Sequence, residues 1–319
     1  MSETLRSEKV EDPSMSMREE ILIGLRKPQK EISSKYFYDQ RGSELFEEIC
    51  RQEEYYPTDT EISIMNENID EIAHYLGSGV SLIELGSGSS YKTRLLLDHL
   101  PQMAAYIPVD ISEEFLNSVA NELQSEYQYL QIDPVAADYS RPFTIPEVEE
   151  SKKRVIYFPG STIGNFTPVK ARRFLNRQAK QLNGNDGLLI GVDRKKDPEI
   201  LNAAYNDKNG VTAAFNKNLL IRLNRVLDAD FNPDLFEHYA FYNEELGRIE
   251  MHLVSKINQT VTVAGEQVEI MEGETIHTEN SYKYSPEEFI DLASDQFQFL
   301  KIWSDDKDLF SVYYFNVTG

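Results

Sequence analysis

The chain has 319 residues, 40% of them hydrophobic, and a formal net charge of −22, a length for one large or two modest domains and a surface that repels nucleic-acid phosphates and anionic membranes. A single cysteine, Cys50, excludes a disulfide framework and a cysteine-based zinc site, and the five scattered histidines form no H-E-x-x-H motif, so no metal centre is expected. No apolar run approaches the ~18 residues of a membrane span and the polar, acidic start is unlike a signal peptide, so a soluble cytoplasmic protein is expected.

In chain order, residues 1–17 read as a flexible tail. "REEILIGLRK" and "GSELFEEICRQEEYY" carry apolar residues at helical spacing, with the aromatic-rich loop "ISSKYFYDQRG" between them. "DTEISIMNENIDEIAHYL" reads as one helix, opened by Asp59 or Thr60 and followed by Gly77. A β–α rhythm starts at Val80. "VSLIELGSG", "AAYIPVDIS", "YLQIDPVAADY", "KRVIYFPGS" and "DGLLIGVDR" read as strands, with the helices "YKTRLLLDHL", "EEFLNSVANELQSEY" and "PVKARRFLNRQAKQL" between them. Such alternation predicts an α/β fold with a mostly parallel sheet and helices on both faces.

After Arg194 the rhythm breaks. Residues about 197–230 read as helical, and about 236–284 as antiparallel strands with turns at Gly247, Ala264-Gly265 and Gly273. "FQFLKIWSD" and "LFSVYYFNV", joined by "DKD", end the chain as a hairpin, the expected finish of a methyltransferase-type, Rossmann-like sheet. The expected division is a cofactor-binding domain of residues 61–195 and 285–319, and a second α+β lobe of residues 18–60 and 196–284.

The segment "IELGSGSSYKT" follows a strand and opens a helix, so its glycines let a ligand approach the backbone near a helix N-terminus. Gly86 and Gly88 fit the dinucleotide fingerprint, but Tyr91 stands where its third glycine belongs. Glu84, two residues before Gly86, makes the motif acidic-x-Gly-x-Gly, the pattern of enzymes using S-adenosylmethionine. That ligand carries a cationic amine and sulfonium, which carboxylates suit. The motif nominates Glu84, Gly86, Ser87 and Gly88 for cofactor binding. Asp110 ends the next strand, where a carboxylate can take ribose hydroxyls. Asp138 in "AADYS" follows the third strand, where an adenine amino group would lie, although a lone aspartate there also suits a plain turn.

"RVIYFPGSTIGNFT" is an apolar strand that stops on Pro159-Gly160 and turns to Asn165. Gly160 to Gly164 is not G-x-S-x-G, so a hydrolase nucleophile elbow is excluded. Ligands of open α/β sheets bind at such strand ends. Asn165 is therefore a ligand candidate, with helix cap or turn residue as the alternative.

"KYFYDQRGSELFEEI", "EYYPTDTEISI", "ELGSGSSYKT", "FPGSTIGNF", "DRKKD" and "IHTENSYKYS" together resemble the histidine N-alpha-methyltransferases of ergothioneine biosynthesis, from about Lys35 to the C-terminus. The resemblance implies a methyltransferase fold with a substrate-binding lobe. It implies three methyl transfers from S-adenosylmethionine to the α-amine of L-histidine, giving the betaine hercynine. It implies that Tyr38, Asn165 and Tyr205 grip the amine and carboxylate beside Gly160, with Tyr38 and Asn165 as the catalytic pair. Tyr55, Glu279 and Ser281 would face the imidazole, with Phe215 and Met251 lining that end. Gly86, Lys92, Asp110, Asp138 and Tyr139 would contact the cofactor; Tyr139 stands at an aromatic position of the family pattern. No metal is implied, and the expected partner is one small molecule bound by a monomer. A methyltransferase acting on another amino acid or amine remains open. An oxidoreductase is disfavoured by Tyr91, and a silent ligand-binding protein by the joint presence of the glycine turn, Asp110 and Asn165.

Overall fold

The structure, a computed structural model, describes residues 15–88, 91–100 and 102–318. Of the expected tail, residues 1–14 lie outside the described residues and Met17 already opens a helix. In chain order the elements begin with α1 (Met17–Leu25), β1 (Lys30–Glu31), α2 (Gln40–Ile49), α3 (Tyr56–Glu67), α4 (Ile69–Leu76), β2 (Val80–Leu85), α5 (Tyr91–His99) and β3 (Ala105–Asp110). There follow α6 (Glu113–Glu126), β4 (Gln131–Ile132), β5 (Val135–Ala136), β6 (Lys153–Phe158), α7 (Pro168–Ala179), β7 (Gly187–Asp193), α8 (Pro198–Ala204) and α9 (Val211–Leu227). The chain ends with β8 (Phe236–Asn243), β9 (Arg248–Ser255), β10 (Gln259–Val263), β11 (Glu266–Ile270), β12 (Thr275–Tyr282), α10 (Pro286–Ala293), β13 (Phe297–Ser304) and β14 (Phe310–Val317).

These elements form two compact units, one drawn from Met1–Tyr55 and Asp197–Ser281, the other from Tyr56–Lys196 and Tyr282–Gly319. In the first unit β1, β12, β9 and β8 make a sheet in that order, and β10 pairs with β11 as a separate hairpin. Ala264 and Gly265 at its turn both have positive φ, 51° and 81°. That is the left-handed pair which matches strand twist in a two-residue hairpin. A capping box between Ser16 and Glu19 starts α1.

The second unit carries a sheet in the order β13-β14-β7-β6-β2-β3-β4, with β5 also paired to β3. β2 through β7 run parallel, and β14 and β13 close the edge antiparallel. This is the Rossmann-like methyltransferase order that the β–α rhythm and final hairpin predict. Side chains along β2 alternate between two cores. Ile83 and Leu85 pack with Phe174 of α7 and Phe289 of α10; Val80 and Leu82 pack with Ile64 of α3, Leu76 of α4, Leu96 of α5 and Leu123 of α6. Helices therefore cover both faces, as a parallel sheet requires.

Three expectations shift. The single helix after Asp59 is two helices, and it begins at Tyr56, with Pro57 in the first turn where its missing N–H matters least. Asn68 breaks it, its Nδ2 donating to the Ile64 carbonyl at 2.8 Å. The third strand is reduced to β4 and β5 around Asp133-Pro134, since Pro134 has no N–H for a ladder. The helical stretch about 197–230 divides into α8 and α9 because Asp207 caps α9, accepting from the Val211 and Thr212 amides at 2.8 and 2.7 Å.

Two buried carboxylates organise the second unit. Asp193, at the end of β7, is fully buried. It accepts from the Tyr56 hydroxyl at 2.8 Å and pairs with Lys196 and, at 2.7 Å, with Lys283. Burial alone would raise its carboxyl, but the two ammonium groups outweigh that and hold it below the usual range. Burial lowers Lys196 to about 8. Tyr56, Lys196 and Lys283 sit at or next to the three points where the chain passes from one unit to the other, 55/56, 196/197 and 281/282.

Glu84 on β2 is also buried, its Oε2 accepting from the hydroxyls of Thr93 on α5 and Tyr106 on β3. Burial pushes its carboxyl up to about 7 despite those donors.

Replacing Asp193 by Asn strands two buried ammonium groups and is expected to cost about 3–5 kcal/mol in equilibrium unfolding; a loss below about 1 kcal/mol, the worth of a surface pair, contradicts this. Glu84 gives a pH signature. Between 4.5 and about 7 the folded chain keeps a proton that the unfolded chain has lost, so its contribution falls as pH rises. Wild type should lose on the order of 3 kcal/mol relative to Glu84→Gln across that window; parallel curves for the two proteins would contradict a buried, raised carboxyl.

Candidate active site

In the first unit, Tyr55, Tyr205, Phe215, Met251 and Glu279 line one pocket. They come from five places: the end of the α2 loop, the end of α8, α9, β9 and β12. Phe46, Ile49, Ala204 and Thr212 complete the wall and carry no signature in the sequence. Among the described residues, Glu279 is the one acidic side chain of this otherwise aromatic, apolar and hydroxyl lining. The Tyr205 hydroxyl donates to Ser281 Oγ at 2.9 Å. Burial, then the neighbouring Tyr205, pushes the Tyr55 phenol well above its ordinary value, so it stays a protonated donor. The Tyr38 ring meets Phe46 and Phe215 edge-on, both at 5.8 Å. Next to it Asp39 caps α2 and accepts from Asn218 of α9 at 2.9 Å, which fixes the segment carrying Tyr38. All the first-unit candidates therefore gather in or beside one cavity.

Gly160 and Asn165 belong to the second unit. After β6 the chain turns through Gly160 (φ 75°) and Ser161 (φ 57°) into a single 3-10 turn, Thr162–Asn165. A left-handed serine is costly, and its hydroxyl is held by the Asp193 amide, which donates to Oγ at 2.9 Å. The cap of α7 is Thr167, not Asn165. The half-buried Asn165 carboxamide has no hydrogen-bond partner among the described residues, which favours the ligand reading over the cap reading.

The glycine turn is held from below. The Gly86 amide donates to the Val109 carbonyl at 2.8 Å, and the Gly88 amide to Asp110 Oδ2 at 3.3 Å. Asp110 Oδ1 also accepts from the Ser112 amide, so the cap position before α6 is Ser112 while the carboxylate is that of Asp110. Gly86 is tightly placed, since a Cβ there would come 3.3 Å from the Tyr139 ring. Ser87 Oγ is buried without a partner among the described residues. Asp138 Oδ1 accepts from the Ser140 amide at 2.9 Å. Tyr139 packs against Phe158 and Phe174, and burial raises its phenol. A backbone cradle, a strand-end carboxylate, an aromatic wall and an unsatisfied hydroxyl suit a nucleoside. Glu84 is turned onto the Thr93 and Tyr106 hydroxyls, so it braces the strand below the turn rather than bonding a ligand directly.

Glu61 is the residue that sequence reasoning misses. It is fully buried on α3, accepts from the Gly160 amide at 3.0–3.1 Å, and pairs with Lys92. One carboxylate thus pins both the Gly160 turn and the Lys92 ammonium. A Cβ on Gly191 would overlap it. Its signal was a glutamate at i with Ile64 and Met65 at i+3 and i+4, a charge on the apolar face of a helix.

Glu250, His252 and His277 offer three metal-type ligand atoms within 4.8 Å of one another. The two rings stack at 4.7 Å and 17°, so their in-plane lone pairs run side by side, which suits a ladder better than a shared ion. Phe241 extends the stack, and Arg248 and Asn243 donate to Glu250. The bonds from His252 and Arg248 hold the Glu250 carboxyl down at about 2.

The family profile "Histidine-specific methyltransferase, SAM-dependent" matches residues 17–317. The histidine N-alpha-methyltransferase of Mycobacterium tuberculosis is 38% identical over 298 residues, covering 92% of each chain. That of Mycolicibacterium smegmatis is 40% identical over 297 residues, 91% of each. Ergothioneine biosynthesis protein 1 of Schizosaccharomyces pombe is 30% identical over 270 residues, 81% of this chain and 35% of that longer one. With a family profile spanning nearly its whole length over this sheet and glycine turn, the chain belongs to the histidine-specific, S-adenosylmethionine-dependent methyltransferases.

Proposed function

We propose that the protein transfers three methyl groups in succession from S-adenosylmethionine to the α-amine of L-histidine, giving hercynine, the first step towards ergothioneine. The observation that carries the reading is the first-unit pocket, with its one carboxylate among aromatic and apolar walls. Glu279 accepts from an imidazole N–H, and Tyr55, a phenol that burial keeps protonated, donates to the ring. Phe215 and Met251 close on its apolar faces. A polar pocket of this kind rejects aliphatic side chains, because they leave its buried groups unpaired.

Tyr205 holds the amino acid's polar end, and its hydroxyl donates to Ser281, which faces the imidazole beside Glu279. Tyr38 orients the amine. Its nitrogen must lose a proton before each attack, since a free α-amine is mostly protonated at neutral pH. Asn165 has an open acceptor and two open donors, enough for amine and carboxylate together. Gly160 gives close backbone approach beside it.

S-adenosylmethionine supplies a methyl already activated on sulfonium. When bound, it would supply that methyl for in-line attack by the amine nitrogen, with the carbon–sulfur electron pair departing on the sulfur. Asp110 holds the ribose, Tyr139 and Asp138 the adenine, and Lys92, steadied by Glu61, the anionic end of the methionyl group. Glu84, Gly86, Ser87 and Gly88 shape that cradle. Positioning and electrostatics carry such a displacement, so no metal is required and a chelator should leave the rate unchanged. The trimethylated product has no N–H left to bond Asn165, and it leaves.

Glu279→Ala is expected to raise the histidine Kd on the order of 10- to 100-fold by calorimetry, with the cofactor Kd unchanged; equal loss of both would remove Glu279 from the imidazole. Asn165→Ala should cut kcat roughly 100-fold while the cofactor still binds, and a near-normal rate would leave Asn165 as a turn residue.

A further inference from the structure

Asn216 lies in the middle of α9 with no exposed surface. A carboxamide has two donors and one acceptor group, and here each is used. Nδ2 donates to Nδ1 of His238 at 2.9 Å and to the His252 carbonyl at 3.0 Å. That carbonyl can only accept, which fixes which way the amide points. Oδ1 accepts from Thr278 Oγ1 at 2.8 Å, whose proton is shared with the Met251 carbonyl at 3.1 Å. His238 carries the chain of bonds onward. With Nδ1 taken as acceptor, its proton sits on Nε2, which lies 2.9 Å from the Tyr205 carbonyl and donates to it. Burial holds His238 below the ordinary histidine range, in keeping with a neutral ring.

Both arms end on the pocket. One reaches Tyr205. The other reaches Met251 and the strand segment that carries Glu279 and Ser281. Phe215, the preceding residue on α9, lines the same cavity. We propose that Asn216 is the positioning residue of the amino-acid pocket: through His238 and Thr278 it sets where Tyr205 and the β12 segment of Glu279 stand, and so governs affinity for the amino acid without touching it. This rests on reading the pocket as the one that takes histidine. Every member of the network lies in the first unit, whereas the glycine turn and Asp110 lie in the second. Loss of the network should therefore act on one ligand and not on the other.

The test uses the full chain, with KM for histidine, kcat, and calorimetric Kd for histidine and for S-adenosylmethionine. Asn216→Ala removes the hub, taking the donor from His238 Nδ1 and the His252 carbonyl and leaving the Thr278 hydroxyl only the Met251 carbonyl, so it is paired with a milder change. His238→Phe keeps an aromatic ring but removes both the acceptor for Asn216 and the donor to the Tyr205 carbonyl, leaving the Thr278 arm in place; His238→Gln keeps an amide donor for the Tyr205 carbonyl and an acceptor for Asn216. The expected result is a histidine KM raised on the order of 10- to 100-fold in Asn216→Ala and His238→Phe, with kcat nearly unchanged, cofactor Kd unchanged, and KM restored in His238→Gln. A folded His238→Phe protein with wild-type KM, or one that loses both ligands equally, overturns the proposal. If the unmutated protein binds its cofactor but no histidine, the pocket reading has failed, and this proposal with it, before any variant is compared.

Discussion

A carboxylate with no access to water must be paired, and Asp193 is paired at the places where the fold needs fixing. Isolated, a buried charge of this kind is costly enough to unfold a domain. Here it is met by Lys196, Lys283 and the Tyr56 hydroxyl, one for each crossing of the chain between the units. Its own amide holds the Ser161 hydroxyl and with it the left-handed turn before Asn165. Glu61 does a related task at the neighbouring residue, accepting from the Gly160 amide while pairing with Lys92. The loop that presents Asn165 is thus shaped by two buried acids rather than by local turn preference. Idealised loops do not place a serine at positive φ, and functional ones often do.

The first unit uses neutral hydrogen bonds for the same end. Asn216 and His238 are uncharged in the arrangement that satisfies them, and each polar atom in their chain has a partner. Fully satisfied buried networks hold a unique geometry, whereas half-satisfied ones are a liability. Specificity for an imidazole asks for that kind of rigidity, because a carboxylate such as Glu279 discriminates only if it cannot follow a wrong ligand.

Much of the second unit was legible in the sequence, because apolar runs such as "VSLIEL" and "LLIGVD" must be strands buried on both faces and the helices between them are amphipathic. The break at Asn68 and the splitting of the third strand at Pro134 were harder, since each turns on one residue inside an otherwise regular pattern. The glycine turn and Asp110 could be read from position alone. Tyr55, Phe215 and Met251 could not, because an aromatic or a methionine in a pocket wall looks like one in a core; only resemblance picked them out. Asn216, His238 and Glu61 escaped both routes. Their partners lie far away in sequence, and nothing local marks a polar side chain as the centre of a network except its place on a buried helical face.

The most direct test is mass spectrometry of the small-molecule products when the purified protein meets S-adenosylmethionine with a labelled methyl and all twenty amino acids in one vessel. Label on histidine, at one, two and three methyls with the trimethylated form accumulating, is the expected result. Label confined to another amino acid would keep the fold and cofactor but contradict the assignment of Glu279 and Tyr55 to an imidazole, and no label at all would contradict the proposed reaction.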